Sequence, residues 1–324
     1  MKFLATVCLL FALLGPVQAQ VEGLGTIGVT VKDLDRSVDF FTDILDFELV
    51  REWESSGTGT EHLQGVFGVH QRSALLRLGE EEIELTQYLT PRGEAFPWDT
   101  NANDEWFQHI AIVVSDMDQA YSRLKKAKVE HASPLPQRLP DWNPNAGGIE
   151  AFYFRDPDGH FLELISFPKG KGNPKWQTPR SGSPVFLGID HTAIVVDDTE
   201  KSLDFFRDVL GFEVAGASEN YGIEQERLNN VFGAHLRITG LKAPNGPGLE
   251  LLEYLSPGTG RDYPKDAKTT DLLHWQTTLE ISNTTKLAKL LQDQVWISSG
   301  IVDNRFLVRG PDGHAFMIDG RKNQ

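Results

Sequence analysis

Residues 25–41 read GTIGVTVKDLDRSVDFF, and residues 190–206 read DHTAIVVDDTEKSLDFF. Two fainter copies keep the same order, HIAIVVSDMDQAYSRL from His109 and QTTLEISNTTKLAKLL from Gln276. Each copy opens with alternating apolar residues, turns at an acidic or polar position and continues with apolar residues at helical spacing. In the first copy Val38, Phe41, Ile44 and Leu45 share one helical face, so that face can pack on a sheet. A repeat of supersecondary size fixes the architecture before any single element is assigned. The chain is four copies of one module.

Outward from each copy, further strand-like runs follow. In the first module these are FELVREWE, SALLRLG and EIELTQYL, and in the second a short stretch at 130–132, then AFYFRD and HFLELISF. The turn Asp156-Pro157-Asp158-Gly159 sets up a hairpin, with Pro fixing one φ and Gly free to take a positive one. The fourth module ends in a matching hairpin, LVRGPDGHAFMID. The expectation is an α+β fold of four βαβββ modules, at 20–91, 104–168, 186–257 and 270–320. In sequence order they make a first domain, 20–168, and a second, 186–324. Between them, 169–185 is rich in Pro, Gly, Ser and Lys and reads as a linker.

Residues 1–19 stand outside the repeats. Lys2, the apolar run Phe3–Leu14 and the small residues Val17 and Ala19 form the pattern of a secretory signal peptide, with cleavage expected after Ala19. The apolar run is too short for a span of about 20 residues, so export to the periplasm or medium is expected, with no membrane attachment after cleavage. The only cysteine, Cys8, lies in this leader, which leaves the mature chain no disulfide and no thiol ligand. Loss of Lys2 takes the formal charge of the 324-residue chain from −15 to −16. Such an acidic chain argues against nucleic acid or anionic lipid as a partner. A small-molecule partner is expected, and no oligomer is required.

The βαβββ repeat, with His109-Ile-Ala-Ile-Val-Val, Asp190-His191-Thr-Ala-Ile-Val-Val, the S-x-D-F-F helices and Pro157-Asp-Gly-His-Phe-Leu-Glu163-Leu, resembles the vicinal oxygen chelate superfamily. That superfamily includes glyoxalase I, extradiol dioxygenases, methylmalonyl-CoA epimerase and the fosfomycin and bleomycin resistance proteins. The resemblance covers essentially the whole mature chain. It implies that modules pair to curl their sheets into open cups, with a divalent metal on the cup floor held from first and last strands.

Under that resemblance each module offers two ligand places. They hold Thr26 and Glu84, His109 and Glu163, His191 and Glu250, and Gln276 and Met317. Strand alternation puts His109, Ala111 and Val113 on one face and Ile110, Ile112 and Val114 on the other. Pairing in sequence order would give one cup with Thr26, Glu84, His109 and Glu163, and another in which Met317 is a poor ligand for a hard cation. Crossed pairing, which fused glyoxalases of the family also use, collects His109, Glu163, His191 and Glu250 in one cup. We favour the crossed arrangement. Two imidazoles and two carboxylates suit one zinc, nickel, iron or manganese ion.

The implied chemistry is a glyoxalase-like lyase or isomerase reaction, in which Glu163 and Glu250 shuttle a proton on a small oxygen-chelating substrate. The alternatives are an Fe(II) extradiol dioxygenase and a non-catalytic binder of the antibiotic-resistance type. Trp106, Phe107 and Trp275 read as core, while Tyr254 can reach substrate and His274 can stand in as a ligand. His70 and His235 are expected to be exposed, and His160 and His314 to serve turns or edges.

Overall fold

The computed structural model describes residues 20–177, 184–292 and 299–320. The leader at 1–19 and the middle of the linker lie outside the described residues. The first module contributes β1 (Val21–Thr30), α1 (Leu34–Leu45), β2 (Glu48–Ser56), α2 (Thr58–Gln64), β3 (His70–Leu78) and β4 (Glu81–Thr90). The second contributes β5 (Gln108–Val114), α3 (Met117–Lys126), the two-residue β6 (Glu130–His131) and β7 (Gln137–Arg138), β8 (Glu150–Arg155) and β9 (Phe161–Ser166). In the third are β10 (Phe186–Val195), α4 (Thr199–Leu203), which runs on as a π-helical turn at 204–209, β11 (Glu213–Tyr221), α5 (Ile223–Asn229), β12 (His235–Lys242) and β13 (Gly248–Ser256). The fourth closes with β14 (Trp275–Ile281), α6 (Thr284–Gln292), β15 (Arg305–Arg309) and β16 (Ala315–Asp319).

The polar residue that precedes each repeated helix has the same task in every module. Asp33, Asp116 and Asp198 each accept a backbone N–H from the first turn of α1, α3 and α4. Asn283 does so for α6, from Lys286. Such a cap satisfies one of the orphan donors at a helix start and is worth about 1 kcal/mol. The apolar helix faces predicted from sequence are buried: Val38, Phe41 and Leu45 of α1 join one core with Leu124 of α3, Phe206 and Leu287. Residues from all four modules meet in that core, each large side chain stabilising it by roughly 1.5–3 kcal/mol.

Strand order decides how modules combine. One sheet runs β15-β16-β14-β1-β4-β3-β2, and the other β11-β12-β13-β10-β5-β9-β8-β6 with β7 on β8. The first and fourth modules therefore share one sheet, and the second and third share the other. The halves 20–168 and 186–324 are repeats in sequence, yet each contributes one module to each sheet. The seams are antiparallel first strands, β1 with β14 and β10 with β5. Both sheets stay open and curl into cups. No helix among the described residues is long and apolar enough to cross a membrane.

Two details differ from the sequence expectation. The modules carrying β2 and β11 each add a short helix, α2 and α5, after that strand. His160 and His314 are buried. His160 Nδ1 is 2.7 Å from Asp156 Oδ2, and its Nε2 is 2.6 Å from the Leu272 carbonyl oxygen. It thus ties the second module's hairpin to the approach to β14, a wider role than the turn alone.

Candidate metal centre

The β10–β5 register sets the site. His191 faces Ala111 and His109 faces Ala193 across the seam. The two imidazoles are thus diagonal neighbours on one face, with ring centroids 5.7 Å apart. On either side, β9 brings Glu163 opposite Ala111 and β13 brings Glu250 opposite Ala193. Four adjacent strands, β9-β5-β10-β13, therefore present two carboxylates and two imidazoles to one cup. The faces alternate as expected, with Ile110, Ile112 and Val114 in the core beneath and Ala111 and Val113 on the cup side.

His109, Glu163 and His191 offer donor atoms that all lie within 4.8 Å of one another, and all three residues are buried. Nε2 of His109 is 3.0 Å from Glu163 Oε2, and Nε2 of His191 is 3.7 Å from the same oxygen. Glu250 Oε2 is 3.4 Å from His191 Nε2, but Glu250 lies outside the close group of three. Its side chain is 30% exposed, against 7% for Glu163, so it faces the open part of the cup.

The electrostatics fit a cation. Burial pushes the His109 imidazole below its ordinary pKa, which keeps it neutral. Among the described residues neither of its ring nitrogens makes an aligned hydrogen bond, although Glu163 Oε2 comes within 3.0 Å of Nε2. A buried orphan nitrogen aimed beside a carboxylate oxygen is costly unless something between them accepts both lone pairs. Burial works against protonation of His191 too, yet Glu250, Asp190 and Glu163 raise it to about 10. Burial raises the Glu250 carboxyl, with repulsion from Glu163 and Asp190 adding to it and His191 opposing. His191 thus has Glu250, Asp190 and Glu163 around it, an acidic setting that suits a divalent ion. The donor set suits zinc, nickel, iron or manganese.

Three residues overlooked in the sequence reading complete the centre. Asp190 Oδ2 sits 3.1 Å from His191 Nδ1, and the Trp176 indole N–H donates to Asp190 Oδ1 at 2.5 Å. The Nδ1–H is thereby held on Asp190, leaving Nε2 toward the cup. Burial and then Glu163 keep the Tyr153 phenol protonated well above its usual range. Its ring lies 5.0 Å from that of His109. Trp176 falls in the segment expected to be a plain linker. Gly170, Lys171 and Gly172 of that segment also line the cup, so its described part forms one wall.

The remaining candidates fall elsewhere. Thr26, Glu84, Gln276 and Met317 line the cup of the other sheet, about 470 Å³ in volume against about 600 Å³ for the metal-site cup. No group of three metal donors converges in that cup among the described residues. Trp106, Phe107 and Trp275 are core residues. Tyr254 is buried with its hydroxyl accepting from Asn229 Nδ2, and it does not line the cup. His274 meets Gln276 Oε1 at 3.3 Å and joins no metal group. His70 and His235 are partly exposed and pair with Glu54 and Glu219.

A fold of paired βαβββ modules with a His/Glu cup is that of an oxygen-chelate protein. The chain matches the Glyoxalase/Bleomycin resistance protein/Dioxygenase superfamily over residues 23–164 and 188–318, and it belongs to that family. It is 33% identical over 150 residues to a 2-epi-5-epi-valiolone epimerase of an Actinomyces species, a match covering 44% of this chain and 79% of that protein. It is 21% identical over 268 residues to a catechol-2,3-dioxygenase of Bacillus subtilis, covering 72% and 82%. Among solved structures, glyoxalase I from Zea mays superposes with a TM-score of 0.60 at 18% identity, over 93% of both chains. The likeness to the maize structure is one of fold.

Proposed function

We propose that this protein is a metal-dependent lyase or isomerase that moves a proton on a small, oxygen-rich substrate. The observation that carries this reading is the convergence of His109, Glu163 and His191, with Glu250 one step away on the open side. His109, His191 and Glu163 would hold the ion. A divalent cation there would supply Lewis-acid polarisation to two neighbouring substrate oxygens. Glu250, on the open side of the cup, would take a proton from one carbon and return it to the next. Tyr153 keeps a phenolic O–H beside the site, and Ile165, Ile238 and Leu252 give the cup apolar walls. The 33% identical relative named as an epimerase favours proton transfer. The test is metal analysis of the purified protein, then a substrate screen with the metal restored.

A second reading has one observation in its favour. The close group is two histidines and one carboxylate, the set that also serves Fe(II) oxygenases. Oxygen uptake with catechols on iron-loaded protein would decide for it.

Asp190 is proposed to orient His191. Asp190→Ala is expected to weaken metal affinity by about 10–100-fold, as loss of a ligand's hydrogen-bond partner does. Competition against a metal indicator measures this, and wild-type affinity in the variant would remove the role. Export is likewise proposed, on the leader pattern. Mass spectrometry of protein from the native host should find a chain beginning at Gln20, and an intact Met1 terminus would overturn it.

A further inference from the structure

Each cup has a short helix at its rim, and the two helices can be compared residue by residue. The sequence GVFGVH at 65–70 matches NVFGAH at 230–235, which places α2 over α5, Gln64 over Asn229 and Thr60 over Gln225. One contact recurs in both. The Tyr88 hydroxyl donates to Gln64 Oε1 at 3.1 Å, and Asn229 Nδ2 donates to the Tyr254 hydroxyl at 2.8 Å. A tyrosine–amide pair that is repeated in a cup with metal donors and in one without is part of the scaffold.

Gln225 has no such counterpart, since Thr60 in the other cup bonds only back to the Ser56 carbonyl. Gln225 lines the metal-site cup and is only 2% exposed. Its Nε2 donates to Asn229 Oδ1, and the Asn229 amide in turn serves Tyr254 and Tyr153. The donor chain runs Gln225, Asn229, Tyr254, and its direction leaves Gln225 Oε1 without a partner. A buried amide oxygen with no donor carries its full desolvation cost. The oxygen is sealed in the unliganded cup, so a ligand O–H that relieves the cost reaches it through a turn of the Gln225 amide toward the cup it lines.

The charges around the cup narrow the ligand further. Among the described residues, Lys171 is the one Lys or Arg lining this cup, and it already donates to the Pro144 carbonyl at 3.0 Å. The neighbouring polar groups are the uncharged Asn145, Ser218 and Asn220. A ligand with several carboxylates or phosphates would find no guanidinium fork here, whereas Arg51 and Arg305 line the other cup.

We propose that Gln225 is a specificity residue that accepts a hydrogen bond from a hydroxyl of an uncharged, polyhydroxylated substrate. This rests on the proposed metal function for the substrate's other end. A site built to accept a hydroxyl discriminates strongly against the analogue that lacks it, because the acceptor is then left unpaired.

The test uses two chelators that differ only in hydroxyls, erythronohydroxamate and butyrohydroxamate. Both are titrated into the zinc-loaded full-length protein and, by ligand-observed NMR, into the metal-free protein. Wild type is expected to prefer the hydroxylated probe by about tenfold or more. Gln225→Met, close to isosteric, is expected to bring that ratio near one without weakening butyrohydroxamate. Gln225→Glu keeps an acceptor and is expected to keep the preference. An unchanged ratio in Gln225→Met, or its equal loss in Gln225→Glu, overturns the proposal. Dependence of butyrohydroxamate binding on zinc reads the metal centre alone. If that dependence is absent, the metal reading fails, and the ratio in the metal-free protein still decides on Gln225.

Discussion

Glu250→Gln is expected to keep its metal and lose about two to four orders of magnitude in turnover. The substitution preserves shape and removes the most exposed carboxylate beside the site. Glu163, between both histidines and nearly sealed from solvent, is better placed to hold than to move. Glu163→Gln should therefore lower metal content as well as turnover. The pairing of turnover with metal content separates the two roles, because a base that is not a needed ligand affects only the first. Unchanged turnover in both single variants would remove the proton-transfer mechanism.

The pH profile of kcat should carry the same signature. Activity that needs Glu250 ionised is expected to fall on the acid side as that carboxylate takes up a proton. In Glu250→Gln the residual activity should lose that acid limb. An identical limb in the variant would assign it to another group.

Much of this was legible in the sequence because the repeat makes residues comparable. A lone histidine in HIAIVV or DHTAIVV says little, but the two at matching places, each with a glutamate in a later strand, form a set. The crossed pairing followed from asking which combination gives a complete donor set, and the strand order agrees. The caps were present as the polar residue before each repeated helix. Other features were not legible for physical reasons. Asp190 sits next to a ligand, yet nothing in one sequence says that its carboxylate turns back onto His191 Nδ1. Trp176 lies in a segment whose Pro, Gly and Lys content is that of a linker, and only the folded path brings it onto Asp190. Gln225 lies on a helix of seven residues, too short for its periodicity to stand out. The burial of His160 depends on Leu272, a contact spanning 112 positions, which local pattern does not encode.

The largest effect concerns the metal itself. Sequence distance separates His109 and His191 into different halves of the chain, and the β10–β5 seam brings their rings to 5.7 Å. Removing either imidazole takes away a nitrogen donor and leaves the buried carboxylates of the cup facing one another. Partial binding through the remaining two donors would be weak and readily lost to a chelator. Glu84 lies in the other cup, so it serves as the control on the same fold. The decisive measurement is metal content per chain after dialysis for wild type, His109→Ala, His191→Ala and Glu84→Ala, with folding checked by circular dichroism. The account predicts about one ion in wild type and in Glu84→Ala, and near-complete loss in both histidine variants. Metal retained in His191→Ala and lost in Glu84→Ala would contradict it.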